Sequence, residues 1–324
     1  MPETVLAILT DTNAGGLAGP ARECLGLAAE IAAIVGADLA AATYAAPGSA
    51  AVTEAGERGA SRVFALPEAG LDGSDALVAS AALAVAASGA TYVVVNRGAE
   101  VLDLVPRLAA RLGGGCVMGV TEVRAAPGGL QAVAAIYGGA ARAVYRFGEG
   151  GPRVMSAAAG AAEPPARLSG RPATVVSLEL PAPSSRVRVV EAIAAPDGPR
   201  LEDARIVVSG GRGLRDGENY GLIRELAAAL GGMPGASRAI VDDAWAAPTE
   251  QVGLTGKIVT PQVYFAIGIS GASQHMAGCS NSKLLVAINT DPEAPIFRYA
   301  HLGIVENCLD LLPELVRLAK ERTR

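Results

Sequence analysis

Short β-type runs alternate with longer segments of helical spacing from the start of the chain. Val5 to Leu9 is an unbroken apolar run of strand length, and Pro20 to Val35 then places Leu25, Leu27, Ile31 and Ile34 at helical spacing. Asp38 to Thr43 and Arg62 to Leu66 read as strands, Asp75 to Ala87 as a helix and Tyr92 to Asn96 as a strand. Val101 to Leu112 is helical, with Leu102, Leu104, Leu108 and Leu112 recurring along one side. Alternation of this kind predicts a parallel α/β sheet covered by helices.

The pattern changes at Val117. Gly119 to Ala125, Ala132 to Tyr137, Ala143 to Phe147 and Val154 to Ala157 are short segments with Gly-rich breaks, which predicts antiparallel strands and hairpins. Ala161 to Pro183 reads as irregular and Val187 to Ile193 as a last strand. Pro and Gly then crowd into Ala194 to Arg200, the expected domain boundary. Beyond it the alternation restarts: strand Ala204 to Ser209, helix Asn219 to Leu230, a turn or helix at Arg238 to Val241, strand Gln262 to Ile269. A short helix at Ala272 to Cys279, strand Lys283 to Asn289, extended Pro295 to Tyr299 and helix Val305 to Lys320 complete it. The expected fold is therefore α/β with two domains. Residues 1–195 form an α/β domain with a parallel sheet plus antiparallel hairpins, and residues 202–324 a doubly wound parallel-sheet domain.

Composition removes several function classes. Hydrophobic residues are 51% and charged residues 18%, a globular balance with ample core material. With a net charge of −5 and no basic stripe or polybasic run, neither nucleic acid nor anionic lipid is an expected partner. The four cysteines form no C-x-x-C pair, so reduced buried thiols in a cytoplasmic protein are expected, with no metal site. MPETVLAILTD lacks the features of a signal peptide. The uncharged stretch Ala76 to Val95 is Ala-rich and broken by Ser80, Ser88, Gly89 and Thr91, which suits a surface helix followed by a buried strand, not membrane insertion.

Four loops of the second half carry Gly with polar or cationic residues. In open α/β sheets ligands bind outside the carboxyl ends of strands, where helix N-termini favour phosphate. Ser209-Gly210-Gly211-Arg212-Gly213 follows a strand; its glycines allow close backbone approach and Arg212 can fork onto a phosphate. Asp216 stands at its third glycine position, so G-x-G-x-x-G is incomplete, and an ordinary strand–loop–helix turn accounts for the same residues. Gly235-Ala236-Ser237-Arg238 sets a hydroxyl beside a guanidinium, as would a helix cap with a solvated Arg. Gln251-Val252-Gly253-Leu254-Thr255-Gly256-Lys257 resembles a P-loop but has Gln251 for the first Gly and Ile258 for Ser or Thr, which excludes nucleotide hydrolysis on this motif. Gly268-Ile269-Ser270-Gly271-Ala272-Ser273-Gln274-His275 reads as strand, small-residue turn and helix start, and holds one of only two histidines.

Together these segments resemble the electron-transfer flavoprotein alpha-subunit family, almost continuously from Ile206 to Glu314. The order QVGLTGKIV, GISGASQH, INTDPEAPIF is the most specific part, and PRLAARLGGG carries a weaker resemblance in the first half. The resemblance implies an FAD in the C-terminal domain, in a cleft shared with a beta subunit. Arg212, Ser237 and Arg238 would contact it. Val252, Gly253, Leu254 and Thr255 would line the flavin, and Ser270, Gly271, Ala272, Ser273, Gln274 and His275 would wrap the ring and phosphate region. Asn289 and Asn307 would reach the adenosine half. A one-electron-reduced, unprotonated flavin is anionic, so cationic or donor groups stabilise it, and Arg238 and His275 are the candidates. The protein is then an electron carrier with no catalytic base or nucleophile, working as a heterodimer between flavoprotein dehydrogenases and a membrane quinone oxidoreductase or similar acceptor.

Three residues depart from the family pattern: Leu254 where Gln is common, His301 where a carboxylate is common, and Asn307 where Asp is common. They imply an altered flavin potential or a divergent subfamily. Two alternatives stand beside this reading: an NAD- or nucleotide-dependent enzyme on a related fold, and a partner-dependent scaffold without flavin.

Overall fold

The computed structural model describes residues 3–13, 15–66, 74–127, 129–137, 141–179, 190 and 200–322. They divide into two units, one of Met1–Ala135 and Arg142–Ala194, the other of Ile136–Ala141 and Ala195–Arg324. The expected boundary, Ala194 to Arg200, lies outside the described residues except for Arg200.

The first unit opens with β1 (Thr4–Leu9), the two-residue strands β2 (Thr12–Asn13) and β3 (Gly16–Leu17), and α1 (Gly19–Val35). There follow β4 (Asp38–Tyr44), α2 (Ala50–Glu57), β5 (Arg62–Leu66), α3 (Ser74–Ser88), β6 (Tyr92–Val95) and α4 (Val101–Leu112). Next come β7 (Cys116–Ala126), β8 (Gly129–Ile136), β9 (Ala141–Arg146), β10 (Arg153–Ala157) and β11 (Thr174–Ser177). They make a nine-stranded sheet in the order β11-β5-β4-β1-β6-β10-β7-β8-β9. β1 shows how the sheet builds two cores: Val5, Ala7 and Leu9 face α1 and α2, while Leu6 and Ile8 face α3 and α4. Period-2 alternation of an all-apolar run is what a strand buried on both faces requires.

Four expectations need correction here. The Val154–Ala157 strand is not part of a hairpin: β10 runs parallel between β6 and β7, whereas β7 pairs antiparallel with β8. Its short buried run has no polar alternation to reveal its neighbours. The segment expected to be irregular contains β11, parallel to β5 at the sheet edge. Helix α2 was not expected; Ser49 starts it, its hydroxyl accepting from the Val52 amide at 3.4 Å. Among the cysteines, Cys24, Cys279 and Cys308 are buried but Cys116 is exposed, all as free thiols. The strand expected at Val187 to Ile193 lies outside the described residues apart from Val190, which is exposed and in no strand. Among the described residues no helix is long and apolar enough to cross a membrane.

The second unit contains β12 (Ile206–Gly210), α5 (Tyr220–Ala229), β13 (Met233–Ala236), α6 (Arg238–Asp242) and β14 (Val263–Ile267). It continues through α7 (Ser273–Met276), β15 (Leu284–Asn289), β16 (Leu302–Val305) and α8 (Cys308–Arg322). The strands form one parallel sheet in the order β13-β12-β14-β15-β16. Helices α5 and α8 pack through Ile223, Leu226, Leu312 and Val316 on one face. Val252, Val259, Ile269, Met276 and Ile296 cover the other. Burying each such side chain contributes about 1.5–3 kcal/mol. The chain crosses from one side of β12 to the other between β13 and β14, so the switch point lies between β12 and β14.

Here too details differ from expectation. Gly235 and Ala236 belong to strand β13 rather than to a loop. Pro295–Arg298 is a 3-10 turn with Pro at its first position, not extended chain. β16 occupies Leu302–Val305, so the last helix begins at Cys308.

Candidate functional site

At the switch point two glycine loops meet backbone to backbone. The Gly211 amide donates to the Ile267 carbonyl at 2.9 Å and the Gly213 amide to the Gly268 carbonyl at 3.0 Å. A Cβ on Gly213 would stand 2.6 Å from the Gly268 Cα, so only hydrogen fits between the turns. Neighbouring loops join them. Ser237 donates its amide to the Gly210 carbonyl at 2.9 Å, Val252 to Ala236 at 2.9 Å and Leu254 to Gln274 at 2.7 Å. Together they wall a cleft of about 770 Å³ above the carboxyl ends of β12, β14 and β15, within the size range of ligand and cofactor sites.

Of the residues expected to touch the cofactor, Arg212, Ser237, Arg238, Val252, Gly253, Leu254, Thr255, Ser270, Ala272, Gln274, His275, Asn289 and Asn307 line this cleft. Gly271 and Ser273 are not among its lining residues. Gly271 is turned against the backbone of Ile296, whose amide donates to the Ser270 carbonyl at 3.0 Å. The Ser273 hydroxyl donates to Gln274 Oε1 at 3.3 Å in solvent. Leu254 is 54% exposed, an apolar surface presented to the cleft. Asn289 spends both ends of its amide within the chain: Nδ2 donates to the Ile269 carbonyl at 3.0 Å and Oδ1 accepts from the Asp291 amide at 2.9 Å. Asn307 accepts from the Leu309 amide and donates to Asp310 at the start of α8.

The lining charges are Arg212, Arg215 and Arg238 against the single carboxylate of Glu306. Arg238 meets Asp242 at 3.3 Å, but both side chains are exposed, so the pair holds the guanidinium weakly. The cleft thus favours an anion. Lys257 plays no part in it: its ammonium donates to Glu202 at 2.8 Å, and the P-loop-like segment cradles nothing with that lysine. Arg215 and Glu306 were not foreseen as lining residues. Arg215 follows Arg212 by one 3-10 turn in a left-handed conformation with φ 65°, for which the sequence offers no glycine or asparagine as a signal.

Two expectations about charge change. Helices α6 and α7 have only five and four residues, too short for a helix dipole to hold phosphate. His275 is buried, and burial pushes its pKa down to about 4, so of the cationic or donor roles expected of it only that of a neutral hydrogen-bonding group is open near neutral pH. Its Nε2 lies 2.9 Å from the Tyr264 hydroxyl, and Nδ1 is buried. His301 does not line the cleft; its Nδ1 accepts from the Leu285 amide at 3.0 Å.

A parallel sheet with a cationic, glycine-walled cleft at its switch point defines a protein that binds a nucleotide-containing cofactor. Comparison with known proteins narrows this. Residues 200–280 match the electron transfer flavoprotein FAD-binding domain and residues 5–183 the electron transfer flavoprotein domain. The electron transfer flavoprotein subunit alpha of Mycobacterium leprae is 39% identical over 239 residues, 72% of this chain and 73% of that one. The Thermoanaerobacterium thermosaccharolyticum subunit alpha is 39% identical over 223 residues, 68% of each chain. The mitochondrial subunit alpha of Dictyostelium discoideum is 54% identical over 123 residues, 38% of this chain and 35% of that one. The chain belongs to the electron transfer flavoprotein alpha-subunit family and carries its flavin-binding domain.

Proposed function

We propose that residues 202–324 hold FAD in this cleft, and that the chain, with residues 1–195 as a separate α/β domain, works as a heterodimer with a beta subunit. The heterodimer takes electrons from flavoprotein dehydrogenases and delivers them to a quinone oxidoreductase or similar acceptor. The observation that carries this reading is the cleft itself, where three guanidiniums, the hydroxyl residues Ser237 and Thr255 and the exposed side chain of Leu254 converge. That set fits a dinucleotide whose phosphates are anionic and whose ring is flat and apolar with polar edges. Arg212 pairs with phosphate as a fork. Arg238 supplies positive charge where the reduced ring becomes negative, and Ser237 and Thr255 supply hydroxyl hydrogen bonds. When bound, the flavin supplies the redox chemistry; the protein binds, orients and tunes it.

Co-expression with the beta subunit encoded in the same source is expected to give a yellow complex whose flavin absorbance bleaches on stepwise reduction. A colourless complex that gains no flavin on FAD addition would overturn the proposal. Arg212→Ala is expected to weaken FAD retention by about tenfold, the scale of one charge-assisted hydrogen bond. The loss is read by ultrafiltration of the yellow complex, and an unchanged affinity would remove Arg212 from the site.

A further inference from the structure

A cleft that favours an anion nevertheless holds one carboxylate. Glu306 is its single acidic lining residue, beside Arg212, Arg215 and Arg238. An ionised carboxylate can only accept hydrogen bonds, and it repels phosphate. It is compatible with a dinucleotide only where the ligand offers hydroxyl or amino donors.

The strand order β13-β12-β14-β15-β16 shows which part of the ligand that is, because it also orders the loops across the cleft. Arg238 follows β13, and Leu254 and Thr255 lie in the segment joined to β13 by the bond from the Val252 amide to the Ala236 carbonyl. Arg212 and Arg215 follow β12, and Glu306 follows β16, the opposite edge strand. With the ring against Leu254 and Thr255 and the phosphates against Arg212, the adenosine falls to the β15–β16 end.

Most other polar side chains at that end are committed within the chain. Asn289 bonds the Ile269 carbonyl and the Asp291 amide. Asn307 accepts from the Leu309 amide at 3.3 Å and donates to Asp310 at 2.8 Å, which holds it at the start of α8. The Cys308 thiol turns to the Gly213 carbonyl at 3.5 Å, and Thr290 offers a single hydroxyl. Glu306 differs. It is exposed, its Oε1 accepts from the Asn307 amide at 2.9 Å, and its Oε2 has no partner among the described residues. One oxygen is thus anchored and the other is open to a donor.

We propose that Glu306 is a specificity-determining residue whose carboxylate accepts from the ribose hydroxyls of the adenosine half and rejects a dinucleotide whose ribose carries a phosphate. This inference rests on the flavin reading above and places the ribose contact on Glu306 instead of the committed Asn307. A carboxylate at the end of a parallel strand suits a ribose hydroxyl, and a phosphate there calls for a cation instead. The hydrogen bond is charge-assisted, and the repulsion of a phosphate adds selectivity without any further contact.

Equilibrium dialysis of the flavin-stripped heterodimer tests this with FAD, its 2′-deoxyadenosine analogue and its 2′-phosphoadenosine analogue. The wild type is expected to hold the deoxy analogue about tenfold more weakly than FAD, the scale of one hydrogen bond to a charged group, and the phosphorylated analogue more weakly still. In Glu306→Ala, FAD and the deoxy analogue are expected to bind alike. In Glu306→Gln the phosphorylated analogue is expected to gain about tenfold relative to FAD. A wild type that binds FAD and the deoxy analogue equally overturns the inference, whatever the variants do. A Glu306→Ala complex that weakens all three ligands by the same factor also overturns it, since a merely structural carboxylate would do that. Failure of the wild-type complex to take up any FAD sinks the functional reading. ADP against 2′-deoxy-ADP then decides on Glu306: a preference for ADP that Glu306→Ala abolishes supports the inference, and no preference or no binding overturns it.

Discussion

Gly271→Ala is expected to lower the stability of the C-terminal unit by about 3 kcal/mol, the sum of a left-handed backbone penalty and overpacking. Gly271 has φ +85°, where an L side chain is strained, and an added Cβ would overlap the backbone nitrogen and Cα of Ile296. Neither atom can move without breaking the Ile296 amide to Ser270 carbonyl bond that closes the loop after β14. Gly231→Ala separates the two contributions. Gly231 has φ +65° at the end of α5 with nothing within 4 Å of its would-be Cβ, so only the backbone penalty of about 1 kcal/mol applies. Denaturant unfolding followed by the fluorescence of Trp245, the single tryptophan and a half-buried part of this unit's core, reads both variants. Equal midpoints for the two would show that the Ile296 contact is not limiting. Although Gly271 does not line the cleft, it shapes the turn that carries Ser270, Ala272 and His275, so loss of flavin should accompany loss of stability.

What could be read from the sequence follows from where the signal is local. β1 and the span of α4 were legible because burial on both faces of a strand and along one side of a helix writes its period into adjacent residues, but Leu102, expected on the apolar side of α4, is 73% exposed, and Val101 and Val105 join Leu104 and Leu108 on the buried face. β16 was not, since Leu302 and Val305 are each 54% exposed and their run is too short for a pattern. β13 was obscured by Pro234 and Gly235, which normally argue against a strand; it lies at the sheet edge, where a missing amide donor is tolerated. β10 was found as a strand but given the wrong partners, because pairing is set by the chain path and not by its own five residues. In the cleft, glycine and arginine motifs indicated the loops. The neutrality of His275 and the arrival of Glu306 beside the arginines depend on packing between segments far apart in sequence, which no single motif records.

Glu54→Gln is expected to be the most damaging conservative change in the N-terminal unit, destabilising it by about 3–5 kcal/mol, as when one member of a buried ionic network is removed. Glu54 on α2 is fully buried. Its Oε1 accepts from Arg22 Nε and Arg58 Nε, each at 2.7 Å, and its Oε2 from the Leu17 amide at 3.0 Å. One carboxylate thus ties α1 and α2 to the β2–β3 hairpin. A neutral amide of the same shape can serve only part of this set and turns an N–H toward guanidiniums that have nothing to accept with, leaving the mostly buried Arg58 uncompensated. Burial pushes the Glu54 pKa up, but the hydrogen bonds from Arg22, Leu17 and Arg58 outweigh it and hold the carboxyl below its usual range. A folded pKa below the unfolded one means that the unfolded state binds the proton more readily. The stability it contributes is therefore present above the unfolded value of about 4.3 and is lost as pH falls through the folded value. Hydrogen exchange at the Leu17 amide should report both effects: strong protection in the wild type that fails as acid is added, and weak protection already at neutral pH in Glu54→Gln. Protection at Leu17 that is the same in both proteins at neutral pH would mean that the hairpin is held by its apolar contacts and that the buried carboxylate is dispensable.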